Sequence, residues 1–391
     1  MLKPADRINF TLHCTSEIEP LETVWRMLEA VPECSIHQTY DWCRAWIEET
    51  RATPLIITCV YANGPKSGKT AFILPLTVQR LGLFRVAGYI GAEHNNVNFG
   101  VFSDFFLQDC NDETMAEIRQ QIAALPLGVD YIHLDRQSPE RAGQVHPFSY
   151  WPTIESQNHA FQVTLDGGID AVLARSNGKR RRKKLRTSER RLDELGGYDY
   201  VQAKSPEEAK NLLNAFFAQK AARFEQHRLP NAFADERIRA VFHRLSQESL
   251  NLQRKMIELH AIRLRQHDGL ICAVSAISRK GSEAICQFSS IAMGKTEHAS
   301  PGELLFFLVI HDACDTGARV FDFGIGDAQF KRSWCDQETP HFDNIIATST
   351  WGSVGALTAS KITGLKRVVK NRPTMFKVAK TARAWMAPKQ R

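Results

Sequence analysis

Two acids, two glycines and a lysine follow a short apolar run in Phe321-Asp322-Phe323-Gly324-Ile325-Gly326-Asp327-Ala328-Gln329-Phe330-Lys331-Arg332-Ser333-Trp334. Loops at strand ends carry chemistry, because a rigid scaffold aims side chains from them. Carboxylates in such a place can act as general bases, and a lysine can meet an oxyanion or a phosphate. Asp327 and Asp322 are the candidate bases, and Lys331 is the candidate contact to an oxyanion or phosphate. Asp327 and Lys331 are four apart, so a helix would put them on one face, where a surface ion pair is the plainer reading. Just upstream, Ser300-Pro301-Gly302-Glu303-Leu304-Leu305 follows an apolar strand-like segment and reads as a helix start. Free amides at such a start bind anions, and a glycine lets the ligand come close. Gln287, on the strand before that loop, and Trp334 are the candidate substrate contacts.

The charge is unevenly spread. The chain has 391 residues and a net charge of +7, yet residues 179–191 hold nine Lys/Arg against one Glu, and 361–391 hold ten Lys/Arg and no acid. Everything else is net acidic, so the two basic segments call for an anionic partner or a structural reason. For 179–191 there are three readings: a solvated helix with Leu185, Leu192 and Leu195 turned inward, a nucleic-acid surface, or a basic wall beside an anionic ligand, with Arg182 as the contact. Nucleic-acid binding would be helped by interleaved aromatics, and 176–197 has none.

Other signals fail on inspection. Gly64-Pro65-Lys66-Ser67-Gly68-Lys69-Thr70 imitates a phosphate-binding loop, but Asn63 stands where its first glycine should be and a strand-like run follows. A hairpin turn is expected there. Asp322-Phe323-Gly324 lacks the other parts of a kinase. Nine scattered cysteines without a C-x-x-C pair, and no secretory pattern in the first fifteen residues, point to reduced thiols, a cytoplasmic protein and no metal site. The longest apolar run, Leu304 to Ile310, is far too short to span a bilayer.

The elements that must position these residues can be read from period and punctuation. In the first half, Leu21 to Val31 and Tyr40 to Glu49 predict helices, and Leu55 to Tyr61 and Ala71 to Val78 predict strands. Strand-like pieces at 84–90 and 97–102, a helix at 113–124 and a strand at Tyr131 to Leu134 follow. In the second half a strand at Phe161 to Leu165 leads into Ile169 to Ala174 and the basic helix, 177–195, stopped by Gly196-Gly197. Ser205-Pro206-Glu207-Glu208 is a capping box opening a helix to about Arg223. A helix at 234–249, three strands at 256–264, 270–278 and 283–291, a helix from Pro301 to about Thr316 and strands at Val320 to Phe323 and Asn344 to Ser349 complete it. The class is α+β, with mixed, mostly antiparallel sheets flanked by helices.

That order of elements resembles the GNAT acetyltransferase fold, and three stretches are similar to GNAT-like acetyltransferases of the cellulose-biosynthesis CelD type, relatives of the Fem-type aminoacyl transferases. They are Gln38-Thr39-Tyr40-Asp41-Trp42-Cys43-Arg44-Ala45-Trp46, the basic Ser176-Asn177-Gly178-Lys179-Arg180-Arg181-Arg182-Lys183, and Ser300 to Leu305 followed by Gly317, Phe321 to Gly324, Gly326-Asp327 and Phe330-Lys331. The family usually has tyrosine where Phe330 stands. The resemblance implies two GNAT-like lobes, 1–165 and 166–352, followed by a basic tail, 353–391. It implies acetyl-CoA as cosubstrate, its pyrophosphate received by Ser300, Pro301 and Gly302, and a sugar or amine acceptor from polysaccharide or cell-envelope synthesis. A Fem-type transferase using aminoacyl-tRNA, or a non-catalytic accessory of exopolysaccharide synthesis, are the rival readings. The tail interleaves Val368, Val369, Phe376, Val378, Trp385 and Met386 with its cations, a composition that suits either the anionic inner face of a membrane or a terminal helix pair packed on the sheet.

Overall fold

A computed structural model describes residues 9–175, 178–251 and 255–370. It has two compact units: among the described residues, one runs to His159 and resumes at Pro340, and the other spans Ala160–Thr339. Both are α+β with mostly antiparallel sheets.

In the first unit the strand order is Phe10–Thr15, Thr53–Tyr61, Thr70–Leu81, Phe84–Tyr89, Tyr131–Gln137, Phe342–Ala347 and Ile154–Glu155. Residues 63–68 form the expected hairpin turn, with Gly64 and Gly68 at positive φ. Strand Phe84–Tyr89 runs parallel to Tyr131–Gln137, but pairs with it only at Val86, Ala87 and Gly88. Beyond that point the gap is filled by the chain itself. Asn98 lies beside the outgoing strand, its N–H donating to Arg136 O at 2.9 Å, and its side chain accepts from Gln38 Nε2 at 2.6 Å. Tyr89 Oη donates to Gln137 Oε1 across the same gap at 3.0 Å.

The second unit's sheet runs Tyr198–Gln202, Glu258–Leu264, Ile271–Lys280, Glu283–Ile291, Val320–Ile325, Ala160–Thr164 and Gln337–Thr339. The three central strands are the predicted meander, joined by tight turns with glycine at positive φ, Gly269 and Gly281. Glu283–Ile291 and Val320–Ile325 are parallel, which requires a crossover, and the helix Pro301–Asp315 supplies it. That helix shares one apolar core with the helices Gly168–Arg175 and Gly178–Glu194, through Leu173, Leu185, Leu192, Leu304, Leu305 and Val309. A separate cluster of rings, Phe216, Phe233, Phe242 and Phe288, fastens the helices Pro206–Gln226 and Glu236–Asn251 to the strand Glu283–Ile291.

The sequence-based boundaries at 165/166 and 352/353 divide the molecule differently. Strand Ala160–Thr164 belongs to the second unit's sheet, and Phe342–Ala347 to the first unit's, where it pairs with Tyr131–Gln137. Strand 97–102 shrinks to Val101–Phe102, because Asn98 is used in the gap. Of the basic tail, helix Thr350–Lys370 is described, whereas Phe376, Val378, Trp385 and Met386 lie outside the described residues, as do Ser176 and Asn177. No helix among the described residues is long and apolar enough to cross a membrane.

Candidate active site

The site grows out of the parallel pair in the second unit. Pairing holds at Glu283 with Val320, Ala284 with Phe321 and Ile285 with Asp322, and stops there, although the strands run on to Ile291 and Ile325. They part where the first strand bulges at Gln287 and the second turns at Asp322. Its carboxylate is 1% exposed, accepting from Gly324 N at 2.6 Å and Gln162 Nε2 at 3.1 Å. The first bond closes a turn within the strand, and Gly324 takes the positive φ, +72°, that this turn requires. The result is two diverging strand ends whose backbone is not consumed by each other.

The helix Pro301–Asp315 begins at the mouth of this splay. Ser300 adopts a left-handed φ of +53° and its side chain makes no cap bond, while its carbonyl closes the first turn by accepting from Glu303 N at 3.1 Å. Proline at the first position suits a helix start. Gly302 sits against strand Glu283–Ile291: a Cβ there would lie 2.8 Å from Ile291 Cγ2. Ser300, Pro301 and Gly302 are thus adjacent to the open strand end, with the amide end of a fifteen-residue helix behind them.

The basic helix is docked on that start. Its buried positions, Gly178, Arg181, Leu185, Ser188 and Leu192, recur at three and four residues and form its inner face. Leu195 is partly buried against the same core. Arg181 is the unexpected member. Its Nη1 donates to Glu303 at 2.9 Å, its Nη2 to Ser333 O, and its guanidinium lies 3.6 Å from the centre of the Trp334 ring. Burial lowers its pKa and Glu303 opposes that effect. Lys184 also reaches Glu303, at 3.1 Å, and Arg191 donates to His298 O in the loop before the helix. Arg182, the residue expected at the ligand, turns away and pairs with exposed Asp170 at 2.9 Å. Seven cations of this helix, 179, 180, 182–184, 186 and 190, remain exposed.

The remaining candidates fall in two groups. Lys331 joins Asp322 at the splay: its Nζ donates to Gly324 O at 3.0 Å and Ile325 O at 2.7 Å, and it is 9% exposed. It therefore holds the bent strand end, and a Lys331→Ala change cannot leave stability untouched, as a purely surface lysine would. Asp327 does not share a face with Lys331. It precedes the helix Gln329–Trp334 and grips Arg332 in a two-pronged exposed pair, at 2.7 and 2.9 Å. Trp334 is buried beneath Arg181 at 1% exposure, so it packs and does not face an acceptor. Gln287 donates to Ser278 Oγ at 3.0 Å.

Two residues were missed from sequence. Arg181 was readable, because the spacing that turns Leu185 and Leu192 inward turns it inward too. Lys220, on the helix Pro206–Gln226, was not. Its charge bears on Cys286 and Lys331, its ammonium lies 5.9 Å from the Phe216 ring, and burial lowers its pKa with help from Arg223 and Lys331. A lone lysine on a helix gives no such signal. A cleft of about 870 Å³ in this unit, lined by Asp199, Glu208, Arg263 and Asp268 among others, includes none of these residues.

Residues 179–332 match the model of the acetyltransferase (GNAT) domain family. No curated protein matches the chain by sequence. Among solved structures the chain is similar to FemX, with a TM-score of 0.60 and 12% identity, over 88% of this chain and 100% of that one. L-PGS from Bacillus licheniformis aligns over 74% of this chain and 86% of its own at 12% identity, with a TM-score of 0.44. The span that carries the splayed strands, the helix start and the docked basic helix thus lies within the match to the GNAT acetyltransferase domain, in a chain whose fold is similar to that of FemX, and these matches do not extend to the CelD type.

Proposed function

We propose that the second unit transfers an acyl group from acyl-CoA, in the first instance acetyl-CoA, to an amine or hydroxyl. The observation that carries this reading is the splay between Glu283–Ile291 and Val320–Ile325, opening at the amide end of the helix Pro301–Asp315. An extended thioester arm can pair with strand backbone there, while Ser300, Pro301 and Gly302 receive the pyrophosphate. The corresponding gap in the first unit is filled by Asn98, Gln137 and Tyr89, which makes that unit the poorer donor site.

Asp322 accepts two hydrogen bonds within the fold and Asp327 is held by Arg332, so neither is poised to take a proton. In this reading Asp322 shapes the splay, Lys331 fixes the strand end whose amides face the thioester, and Lys220 is the group that accepts the acceptor's proton. Burial, with Arg223 and Lys331, lowers the pKa of this lysine, the direction that a general base requires. Gln287 orients the acceptor, which we place among sugar or amine precursors of polysaccharide or envelope synthesis.

A transferase fed by aminoacyl-tRNA is the second reading, and the exposed cations of the basic helix favour it. Calorimetric titration of acetyl-CoA, dephospho-CoA and tRNA into the whole chain separates the two. Micromolar acetyl-CoA binding that weakens without the phosphates supports the first. Binding of tRNA with a steep salt slope, and none of acetyl-CoA, supports the second. Neither ligand binding would favour an accessory role and overturn both.

A further inference from the structure

The helix Thr350–Lys370 contains no acidic residue and four Lys/Arg. It is seated on the first unit by its glycines. A Cβ at Gly352 would overlap Asp130 O at 1.6 Å, and one at Gly355 would meet the rings of Phe84 and Tyr131 at 2.9 Å. This close approach fixes the helix's rotation and decides what is left outside. What is left outside is apolar: Trp351, Val354, Leu357, Ile362 and Leu365 are between 45% and 61% exposed. At 100° per residue they share an arc roughly 140° wide, interrupted only by Thr358 and Lys361.

The patch does not end with the helix. Phe84 stacks on Trp351, ring centres 5.3 Å apart, and Phe84 follows a hairpin turn whose Leu81 and Leu83 are 46% and 76% exposed. Scattered surface leucines need no explanation, but a continuous apolar stripe does. Charge indicates its occupant. Lys361 and Lys366 flank or interrupt the stripe, Arg367 pairs with Glu155 at 2.8 Å, and the chain beyond Lys370 adds six Lys/Arg and no acid. Apolar side chains entering the acyl boundary while cations reach phosphate headgroups is the pattern of a helix lying in an anionic bilayer interface. A second copy of this chain would set cation against cation.

We propose that the helix Thr350–Lys370, with the hairpin Leu81–Leu83, is a docking surface for an anionic lipid bilayer, lying in the interface. This surface belongs to the first unit and stands independently of acyl transfer.

Co-sedimentation of the full chain with vesicles tests it, using phosphatidylcholine alone and phosphatidylcholine mixed with phosphatidylglycerol. Wild-type protein is expected to sediment with the mixed vesicles and to remain in solution with phosphatidylcholine. The exposed-face variant V354E/L357E/L365E should bind at least about tenfold more weakly. Its thermal midpoint, read by circular dichroism, should stay near wild type; if it drops, Leu357→Glu alone is read in the same way. Three results would overturn the proposal. Wild-type protein could ignore both vesicles. The variant could bind like wild type while a chain ending at Lys370 does not, which would assign binding to the tail alone. Light scattering could show that the variant breaks an oligomer without vesicle binding, which would assign the stripe to self-association.

Discussion

Replacing Arg181 by methionine keeps its apolar volume and removes its charge. The side chains of Arg181 and Glu303 are 6% and 8% exposed, so solvent screens this pair little. Breaking a buried pair from one side costs about 3–5 kcal/mol, since the remaining charge is stranded. Lys184, 3.1 Å from Glu303 and half exposed, stays as a partial counter-charge and moves the estimate to the lower end. Loss of the guanidinium from the Trp334 face adds about 1–2 kcal/mol. A total near 4 kcal/mol corresponds to a fall of roughly 10 °C in the second unit's thermal midpoint, at about 2–4 °C per kcal/mol. The double variant R181M/E303L strands no charge and should recover all but about 1–2 kcal/mol. Urea unfolding followed by circular dichroism gives all three free energies of the cycle. A single-variant cost below about 1 kcal/mol, or a double variant as costly as the two singles together, would mean that Arg181 and Glu303 are not coupled as a buried pair.

Lys331→Met should lose about 2 kcal/mol, because two charge-assisted bonds to Gly324 O and Ile325 O disappear, and should lose acyl transfer at saturating donor; retained turnover would remove Lys331 from the site. Gly302→Val forces the helix start away from Ile291, costing about 1–3 kcal/mol, and should weaken acetyl-CoA binding about tenfold by calorimetry; unchanged affinity would exclude this helix start as the donor site. Burial holds His260 at about 3, with Arg279 adding to the effect. A histidine so depressed is neutral in the fold, and as pH falls below about 6.5 the unfolded chain takes up a proton the folded chain does not. Its contribution is therefore full above pH 6.5 and declines toward pH 3. His260→Gln should flatten the decline of unfolding free energy between pH 6 and 4 by about 1.4 kcal/mol per pH unit, and an unaltered slope would mean the histidine is already charged in the fold.

Much of the second unit was legible because its signals are local. Turn chemistry at 267–269 and 280–282 fixes the meander, and Ser205 to Glu208 announces a helix by its cap. Helical spacing on 178–192 was enough to orient the basic helix, and with it Arg181. The site was less legible. Asp322, Asp327 and Lys331 are the residue types that catalysis uses, but the same types bend chains and close surface pairs, and only geometry separates the uses. Arg182 and Arg181 are neighbours in sequence with opposite fates, decided by which face of one helix meets Pro301–Asp315. Lys220 was invisible because its neighbours come from other strands. The division of the chain was misread at Phe342–Ala347, since an apolar strand does not say which sheet, two hundred residues back, it will join.

That last pairing has a consequence for how the molecule is made. Ala160 and Thr339 face each other across an antiparallel ladder, so the second unit begins and ends at one place and closes on itself. The first unit is different: its sheet lacks a strand until Phe342–Ala347 has left the ribosome. During synthesis Phe342–Ala347 follows Thr339 after only a few residues, so the two units are completed almost together, and the first, although it opens the chain, cannot finish ahead of the second. The same layout makes 160–339 the segment to excise or transplant, and it makes any fragment that stops near 165 an open sheet with an exposed edge.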